Sequence, residues 1–249
     1  MLPRETGIRQ GLAVKKRWAW AGVIVLVLGA ALWTSWSGAA ARLPEAQPPV
    51  SAIPPVTLDP GHGGIDGGAT ADGILEKDLN LAITRETAKR LEAKGLKVAL
   101  TRDSDIALDP TSYANDLRRR RQIAATNRSW AFISIHVNSI GDSSVRGTLV
   151  LYPEGSGSER ETAKALAEAL HEALEADFPN RPHRIQVSDI PHLIESRVPA
   201  VLVEVGFLSN PEERRMLTNH LYQEGLAETL AQAVRDFWQK QQSKAKATG

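Results

Sequence analysis

The sequence predicts an α/β fold in which a mixed, mostly parallel sheet is covered by helices on both faces. Short apolar runs alternate along the chain with longer segments whose apolar residues recur every three or four positions. The chain has 249 residues, of which 42% are apolar and 24% charged, and this is enough for a sizeable core. No internal repeat is visible, so we expect one domain of this kind.

The elements of this domain follow one another from Val56. The apolar run Val56–Leu58 indicates the end of a buried strand. The segment "LEKDLNLAITRETAKRLEAKG" predicts a helix that begins near Glu76 and stops at Gly95. The later segments predict, in order, strand "LKVALTR", helix "TSYANDLRRRRQIAATN", strand "AFISIHVNS", strand "GTLVLYP", helix "ERETAKALAEALHEALEADF", strand "PAVLVEVGF" and one or two closing helices.

The two ends of the chain differ from this domain, which we place at residues 55–240. Residues 1–17 are a basic segment, and residues 18–41 are uncharged and long enough to cross a bilayer as a helix. The basic residues should stay in the cytoplasm, which would place the rest of the chain outside. Because Ala39-Ala40-Ala41 resembles a signal-peptidase site, a cleaved signal peptide and a retained anchor both remain open. Residues 42–54 are a Pro-rich linker, and residues 241–249 a polar tail that we expect to fray.

Composition excludes several classes of function. The formal net charge of +1 gives no strong attraction to nucleic acid. The absence of cysteine excludes disulfides, thiolate zinc sites and a cysteine nucleophile, so any metal must be held by His, Asp or Glu. The glycine-rich stretch "DPGHGGIDGG" has Asp66 where a dinucleotide fingerprint requires its third glycine, and no P-loop Lys-Ser/Thr pair follows it.

Four polar residues stand at the ends of predicted strands or helices. His62 follows the first strand, Glu76 opens the first helix, His136 ends "FISIH" and Glu204 interrupts "VLVEVGF". The carboxyl ends of parallel strands meet at one edge of a sheet, where ligands bind. Two histidines and one or two glutamates are the donor set of a catalytic zinc site that keeps one position open for water.

Each of these residues also has an ordinary explanation. His62 or His136 alone is typical of a hydrogen-bonded loop residue, and Glu76 is favoured at a helix N-terminus by the helix dipole. Glu204 is harder to explain in this way, because a carboxylate within an apolar run is costly unless a cation, a metal-bound water or solvent lies beside it.

Four blocks of the sequence together resemble a known family. "DPGHGG", "EKD", "FISIHVNS" and "PAVLVEVGFLSNPEE" are similar to the successive motifs of the zinc-dependent N-acetylmuramoyl-L-alanine amidases, and the resemblance covers Val56 to Trp238. These enzymes cut the amide between the lactyl group of muramic acid and the first L-alanine of the stem peptide. The resemblance implies a single catalytic domain with Zn²⁺ as cofactor and peptidoglycan as substrate.

The resemblance also implies roles for the four residues. His62, Glu76 and His136 match the zinc ligands, and Glu204 matches the catalytic carboxylate. Glu204 would take a proton from the attacking water and deliver it to the leaving L-alanine amine. Arg120 matches a recurrent arginine of the family, although we interpret "RRRR", Arg118 to Arg121, as a solvated helix face.

The chain departs from the family pattern at a few positions. Ala125 stands where asparagine is usual, and Ile194, close to His192, stands where arginine is usual. Some relatives carry an inserted helix that plugs the active site before the final block. This chain has no spare segment for such a plug, so we expect no obligatory protein activator.

Two other functions remain open on the sequence alone. A zinc peptidase acting on wall stem peptides would use the same ligands, and a membrane-tethered module could bind the wall without catalysis. The expected location in every case is extracytoplasmic, in the periplasm or cell wall, with contact to the membrane through the N-terminal segment.

Overall fold

A computed structural model of the protein describes residues 53–248. The basic segment, the expected signal peptide or anchor and most of the linker lie outside these residues. The strands are β1 (Val56–Pro60), β2 (Thr70–Ala71), β3 (Ile74–Leu75), β4 (Val98–Leu100), β5 (Ala131–Asn138), β6 (Thr148–Pro153), β7 (His183–Ser188) and β8 (Ala200–Phe207). The helices are α1 (Glu76–Ala93), α2 (Tyr113–Thr126), α3 (Ser158–Asp177), α4 (Pro191–Ile194), α5 (Pro211–Leu217) and α6 (His220–Thr248).

Six strands form one sheet in the order β4-β1-β5-β8-β6-β7. Neighbouring strands are parallel except for β6 and β8, which are antiparallel. This confirms the predicted mixed, mostly parallel sheet. The carboxyl ends of β1, β5 and β8 lie at the same edge, which is the edge at which ligands bind in such sheets.

Helices cover the two faces of the sheet unequally. Alternate residues of the central strands, such as Val203 and Val205, pack in a large core with α1, α3 and α6. On the other face a smaller core joins Phe132 and Leu202 to Ala124 of α2 and Leu193 of α4. This second face therefore has helices over only part of its area, and the polar site described below faces this side.

The structure differs from the sequence prediction at four places, one of which is the four-residue helix α4, too short to leave a periodic pattern. Strand β7 was not predicted; it is a sheet-edge strand whose residues are all at least partly exposed, so its hydrophobic pattern is weak. The two-residue strands β2 and β3 pair only with each other and are too short to leave a periodic signal. The expected frayed tail instead continues α6 as helix to Thr248.

Among residues 53–248, no helix is both long enough and apolar enough to span a membrane. The candidate anchor, residues 18–41, is not part of that range.

Candidate active site

His62 lies on the turn that follows β1, with a left-handed backbone whose φ is 62°. This conformation costs an ordinary residue about 1–2 kcal/mol, so its surroundings must hold it. The guanidinium of Arg120 donates to the carbonyls of Pro60 at 2.8 Å and His62 at 2.7 Å. Arg102 donates to the carbonyls of Pro60 and Gly61, each at 2.9 Å. Two buried arginines therefore fix three consecutive carbonyls around this histidine.

The ring of His62 is oriented by two carboxylates. Its Nδ1 lies 2.8 Å from Oδ2 of Asp66, and its Nε2 lies 3.2 Å from Oε1 of Glu76. A carboxylate bound to one ring nitrogen fixes the orientation of an imidazole and leaves the other nitrogen for a ligand. Asp66 thus directs Nε2 of His62 toward Glu76.

Glu76 is the first residue of α1, and its carboxylate is buried between the two histidines. Its Oε2 accepts a hydrogen bond from the Ala69 amide at 2.9 Å. Its Oε1 lies 3.0 Å from Nδ1 of His136 and accepts from Asn80 Nδ2 at 3.2 Å. The position at a helix N-terminus and these donors stabilise the ionised carboxylate.

Two glycines make room for these side chains. A Cβ at Gly61 would lie 2.1 Å from Cε1 of His136, inside the imidazole ring's own volume. Gly68 has a φ of 64°, and a Cβ there would lie 2.7 Å from both Oε2 of Glu76 and Cδ2 of His62. The glycine-rich turn is therefore a cradle in which any larger residue would displace a potential ligand.

The cluster of His62, Glu76 and His136 has the composition of a zinc site. One ligand atom from each residue lies within 4.8 Å of the other two. Burial opposes protonation of His62, but the hydrogen bonds and charges of Glu76 and Asp66 outweigh it and raise its pKa to about 9. Burial likewise opposes ionisation of Glu76, yet the two histidines hold the pKa of this carboxyl well below its usual range. The cluster therefore stabilises positive charge beside the carboxylate, and a divalent cation would replace a proton there.

Glu204 lies next to this cluster on β8, directly opposite His136 in the strand register. Burial raises the pKa of Glu204 to about 7, with the charge of Glu76 acting in the same direction and those of the histidines against it. Its Oε2 is buried and has no hydrogen-bond partner within the described part of the chain. A carboxylate oxygen left without a donor beside a metal-like cluster fits a group that exchanges a proton during reaction.

The expectation that Arg118 to Arg121 form a solvated face is wrong for Arg120. Only 2% of Arg120 is exposed, and its side chain pairs with Asp59 at 2.9 Å and Asp116 at 2.5 Å. Burial would raise the pKa of Asp59, but the charge of Arg120 and the hydrogen bond from His192 hold it well below its usual range. A buried ion pair under the turn that carries His62 explains why Arg120 points inward.

His192, close to the position where Ile194 replaces the arginine usual in the family, is part of the same buried network. It is 3% exposed, its Nε2 lies 3.1 Å from Oδ2 of Asp59, and its ring meets Phe132 edge to face at 4.9 Å. The described conformation thus gives His192 a supporting position beneath the site.

Sequence reasoning missed Asp59, although a carboxylate in the apolar run "VTLD" is the signal that identified Glu204.

Comparisons with known proteins agree with this geometry. The profile of a family described as N-acetylmuramoyl-L-alanine amidase matches residues 56–236. The germination-specific N-acetylmuramoyl-L-alanine amidase of Bacillus subtilis is 32% identical over 186 residues, which are 72% of this chain and 77% of that protein. The probable cell wall amidase LytH of Staphylococcus epidermidis is 30% identical over 190 residues, which are 74% of this chain and 58% of that protein.

A solved structure shares the fold as well. The CwlD amidase from Clostridioides difficile, determined in complex with the GerS lipoprotein, superposes with a TM-score of 0.68 at 32% identity. The match covers 74% of this chain and 98% of that one.

Proposed function

This chain belongs to the N-acetylmuramoyl-L-alanine amidase family, and from that premise we propose that His62, Glu76 and His136 hold a zinc ion for its activity. The protein is an enzyme that cleaves the amide between N-acetylmuramic acid and L-alanine in peptidoglycan. Family membership therefore decides against the zinc peptidase and the non-catalytic wall-binding module that the sequence alone left open.

The observation that carries the zinc proposal is the ligand cluster and its cradle. Two imidazoles and one carboxylate converge within 4.8 Å, and glycines stand where a Cβ would collide with the ligands. Catalytic zinc sites use three protein ligands of this kind and leave a fourth position open. The residues present therefore fit zinc.

The roles of the side chains follow from their positions. A zinc ion bound here would supply Lewis-acid chemistry that polarises the substrate carbonyl and acidifies water. Glu204, whose Oε2 has no hydrogen-bond donor among residues 53–248, accepts the proton of the attacking water and then delivers it to the amine of L-alanine. Asp66 keeps His62 in the ligating orientation by holding its Nδ1.

The metal dependence of peptidoglycan hydrolysis tests this proposal. The purified protein should contain about one zinc per chain and lose hydrolysis when a strong chelator removes it. Mass spectrometry should find new amino-terminal L-alanine and a free lactyl carboxyl, and added zinc should restore both. Unchanged hydrolysis by metal-free protein would contradict the zinc site, and cleavage within the stem peptide would contradict the amidase assignment.

The cell wall is the place of action, as for the relatives named as cell wall amidases. We infer that residues 18–41 export the domain, either as a cleaved signal peptide or as an anchor in the cytoplasmic membrane, with residues 42–54 as the spacer. Protease added to intact spheroplasts should then degrade the domain. Full protection in spheroplasts, with digestion after lysis, would contradict export.

A further inference from the structure

One row of side chains crosses four neighbouring strands beside the site. His136 of β5 is paired with Glu204 of β8, Glu204 with Leu149 of β6, and Leu149 with Arg184 of β7. Residues paired in register point to the same face of a sheet. Arg184 therefore stands on the face of the sheet that carries the catalytic carboxylate, two strands away from it.

Contacts of Arg184 fix its position on this face. Its guanidinium lies 5.9 Å from the ring centre of Phe207, a residue that is 3% exposed. Its Nη2 donates to the carbonyl of Arg146 at 3.3 Å. An aromatic ring beneath a guanidinium holds it by a cation–π contact while leaving its outer edge free.

Within the part of the chain that the structure describes, the exposed guanidinium of Arg184 has no carboxylate partner. Throughout residues 53–248 no Asp or Glu lies within ion-pair distance of Arg184, whereas the neighbouring Arg146 pairs with Glu212 at 3.2 Å. Leu149, between Arg184 and Glu204, is apolar and half-buried. The surface between the carboxylate of Glu204 and the guanidinium of Arg184 is therefore short and apolar.

The spacing matches the peptide side of the substrate. Neighbouring strands lie about 4.8 Å apart, so the backbones at Glu204 and Arg184 are roughly 10 Å apart. An extended peptide advances about 3.4 Å per residue, so this distance corresponds to about three residues. The number of residues is smaller if the arginine side chain extends toward Glu204. The lactyl carboxyl of muramic acid is consumed in the scissile amide, so carboxylates near that bond belong to the stem peptide.

We propose that Arg184 anchors a carboxylate carried within the first three residues of the stem peptide, and so sets the direction in which the substrate crosses the site. This inference rests on the amidase function and adds a preference for acidic stem peptides. It makes Arg184 a substrate-binding residue that takes no part in proton transfer.

Two forms of one substrate test the anchor without any mutation. Soluble, uncross-linked glycan strands with intact stem peptides are divided, and the stem carboxylates of one portion are converted to amides with carbodiimide and ammonia. The full-length protein should show a KM about tenfold lower for the acidic strands and a nearly equal kcat, because a charge-assisted contact remote from the reacting atoms contributes equally to ground and transition states.

Variants test whether the preference for acidic over amidated strands comes from Arg184. Arg184→Gln should raise KM about tenfold on acidic strands and show no preference between the two substrates, because the contact is already lost. Arg184→Lys keeps the charge without the planar fork and should recover part of the preference. Arg85→Gln removes an exposed guanidinium from α1 on the other face of the sheet and should retain the full preference.

The outcomes separate the anchor from the activity. Equal KM values of the wild type for the two substrates would overturn the anchor and leave the amidase assignment intact. A preference that survives in Arg184→Gln would also overturn it. Release of L-alanine peptides from neither substrate would contradict the amidase function and the anchor together.

Discussion

Glycine at position 68 controls the geometry of two ligands at once. Its φ of 64° is accessible to glycine at little cost, and the space beside its Cα is filled by the side chains of Glu76 and His62. The proposed zinc site therefore depends on a residue without a side chain as much as on its donors.

Replacing Gly68 with alanine should weaken zinc binding. The new Cβ would lie 2.7 Å from ligand atoms and push Glu76 or His62 away, so we expect zinc affinity to fall by roughly 10- to 100-fold, as for changes next to metal ligands. Gly73→Ala is the matched control, because Gly73 also has a left-handed φ, of 77°, but no atom of the described residues lies within 4 Å of its Cβ position. Competition with a chelating dye measures the zinc affinity of both variants. Equal losses of affinity in the two variants would contradict the claim that Gly68 makes room for the ligands.

The sequence predicted those site residues that interrupt a regular hydrophobic pattern. His62, Glu76, His136 and Glu204 stand out because each is polar at the end of, or within, an apolar element. Asp66 does not stand out, because polar residues are ordinary in loops. Arg102, at the end of the predicted strand "LKVALTR", was not singled out because arginine side chains are mostly exposed to solvent. Only the folded chain brings Asp66 to His62 and Arg102 to the carbonyls of the turn.

Among the elements, helix α2 is attached to strand β1 by charge as well as by apolar packing. Arg120 reaches from the helix to Asp59 in the strand, and both are almost completely buried. Breaking a buried pair by removing one partner costs about 3–5 kcal/mol, because the other charge is left without compensation. The same arginine donates to the His62 carbonyl, so the packing of α2 on β1 and the position of His62, a proposed zinc ligand, are coupled.

Acid should weaken this attachment. The pKa of Asp59 is lower in the folded protein than in the unfolded chain, so its contribution to stability is present above the unfolded value of about 3.9 and is lost as pH falls through the folded value. Asp59→Asn should reduce the free energy of unfolding by about 3 kcal/mol at pH 7 and flatten its decline at acid pH.

Denaturant titrations from pH 7 to pH 3 in the presence of a chelator measure this effect without a contribution from metal loss. Asp103→Asn, a change at an exposed carboxylate, is the control and should keep the wild-type profile. A profile for Asp59→Asn as steep as that of the wild type would refute the coupling.

Helices and strands with a strong hydrophobic pattern were predicted correctly, and those with a weak pattern were missed. The predicted start of α1 at Glu76 is confirmed, as is the sheet of β1, β5 and β8, since these elements have one strongly apolar face. Strand β7 was missed because an edge strand buries little. The inward turn of Arg120 was missed because four consecutive arginines are indistinguishable until α2 is placed against β1.

For the whole molecule, the described structure leaves the ligand cluster accessible to solvent. The side chains of His62 and His136 are 19% and 18% exposed. The chain between His136 and Glu204 forms β6, α3, β7 and α4 with their connections, and all of it is described. None of these elements is an additional helix inserted across the cluster.

We therefore expect the protein to hydrolyse peptidoglycan without an activator. Its initial rate on purified sacculi should change less than about twofold when an extract of its own cells is added. Control of activity would then lie in location or expression. A protein that is inert alone and switched on by a component of the extract would show that an inhibitory element exists.

The central claim, that three ligands hold zinc while Glu204 moves the proton, predicts that binding and catalysis can be separated by mutation. The direct measurement is zinc content and turnover determined on the same preparation of Glu204→Gln. We predict about one zinc per chain, as in the wild type, and turnover lower by roughly 10²- to 10⁴-fold, since glutamine keeps the shape and removes the base. Loss of zinc from this variant, or wild-type turnover with zinc retained, would contradict the account.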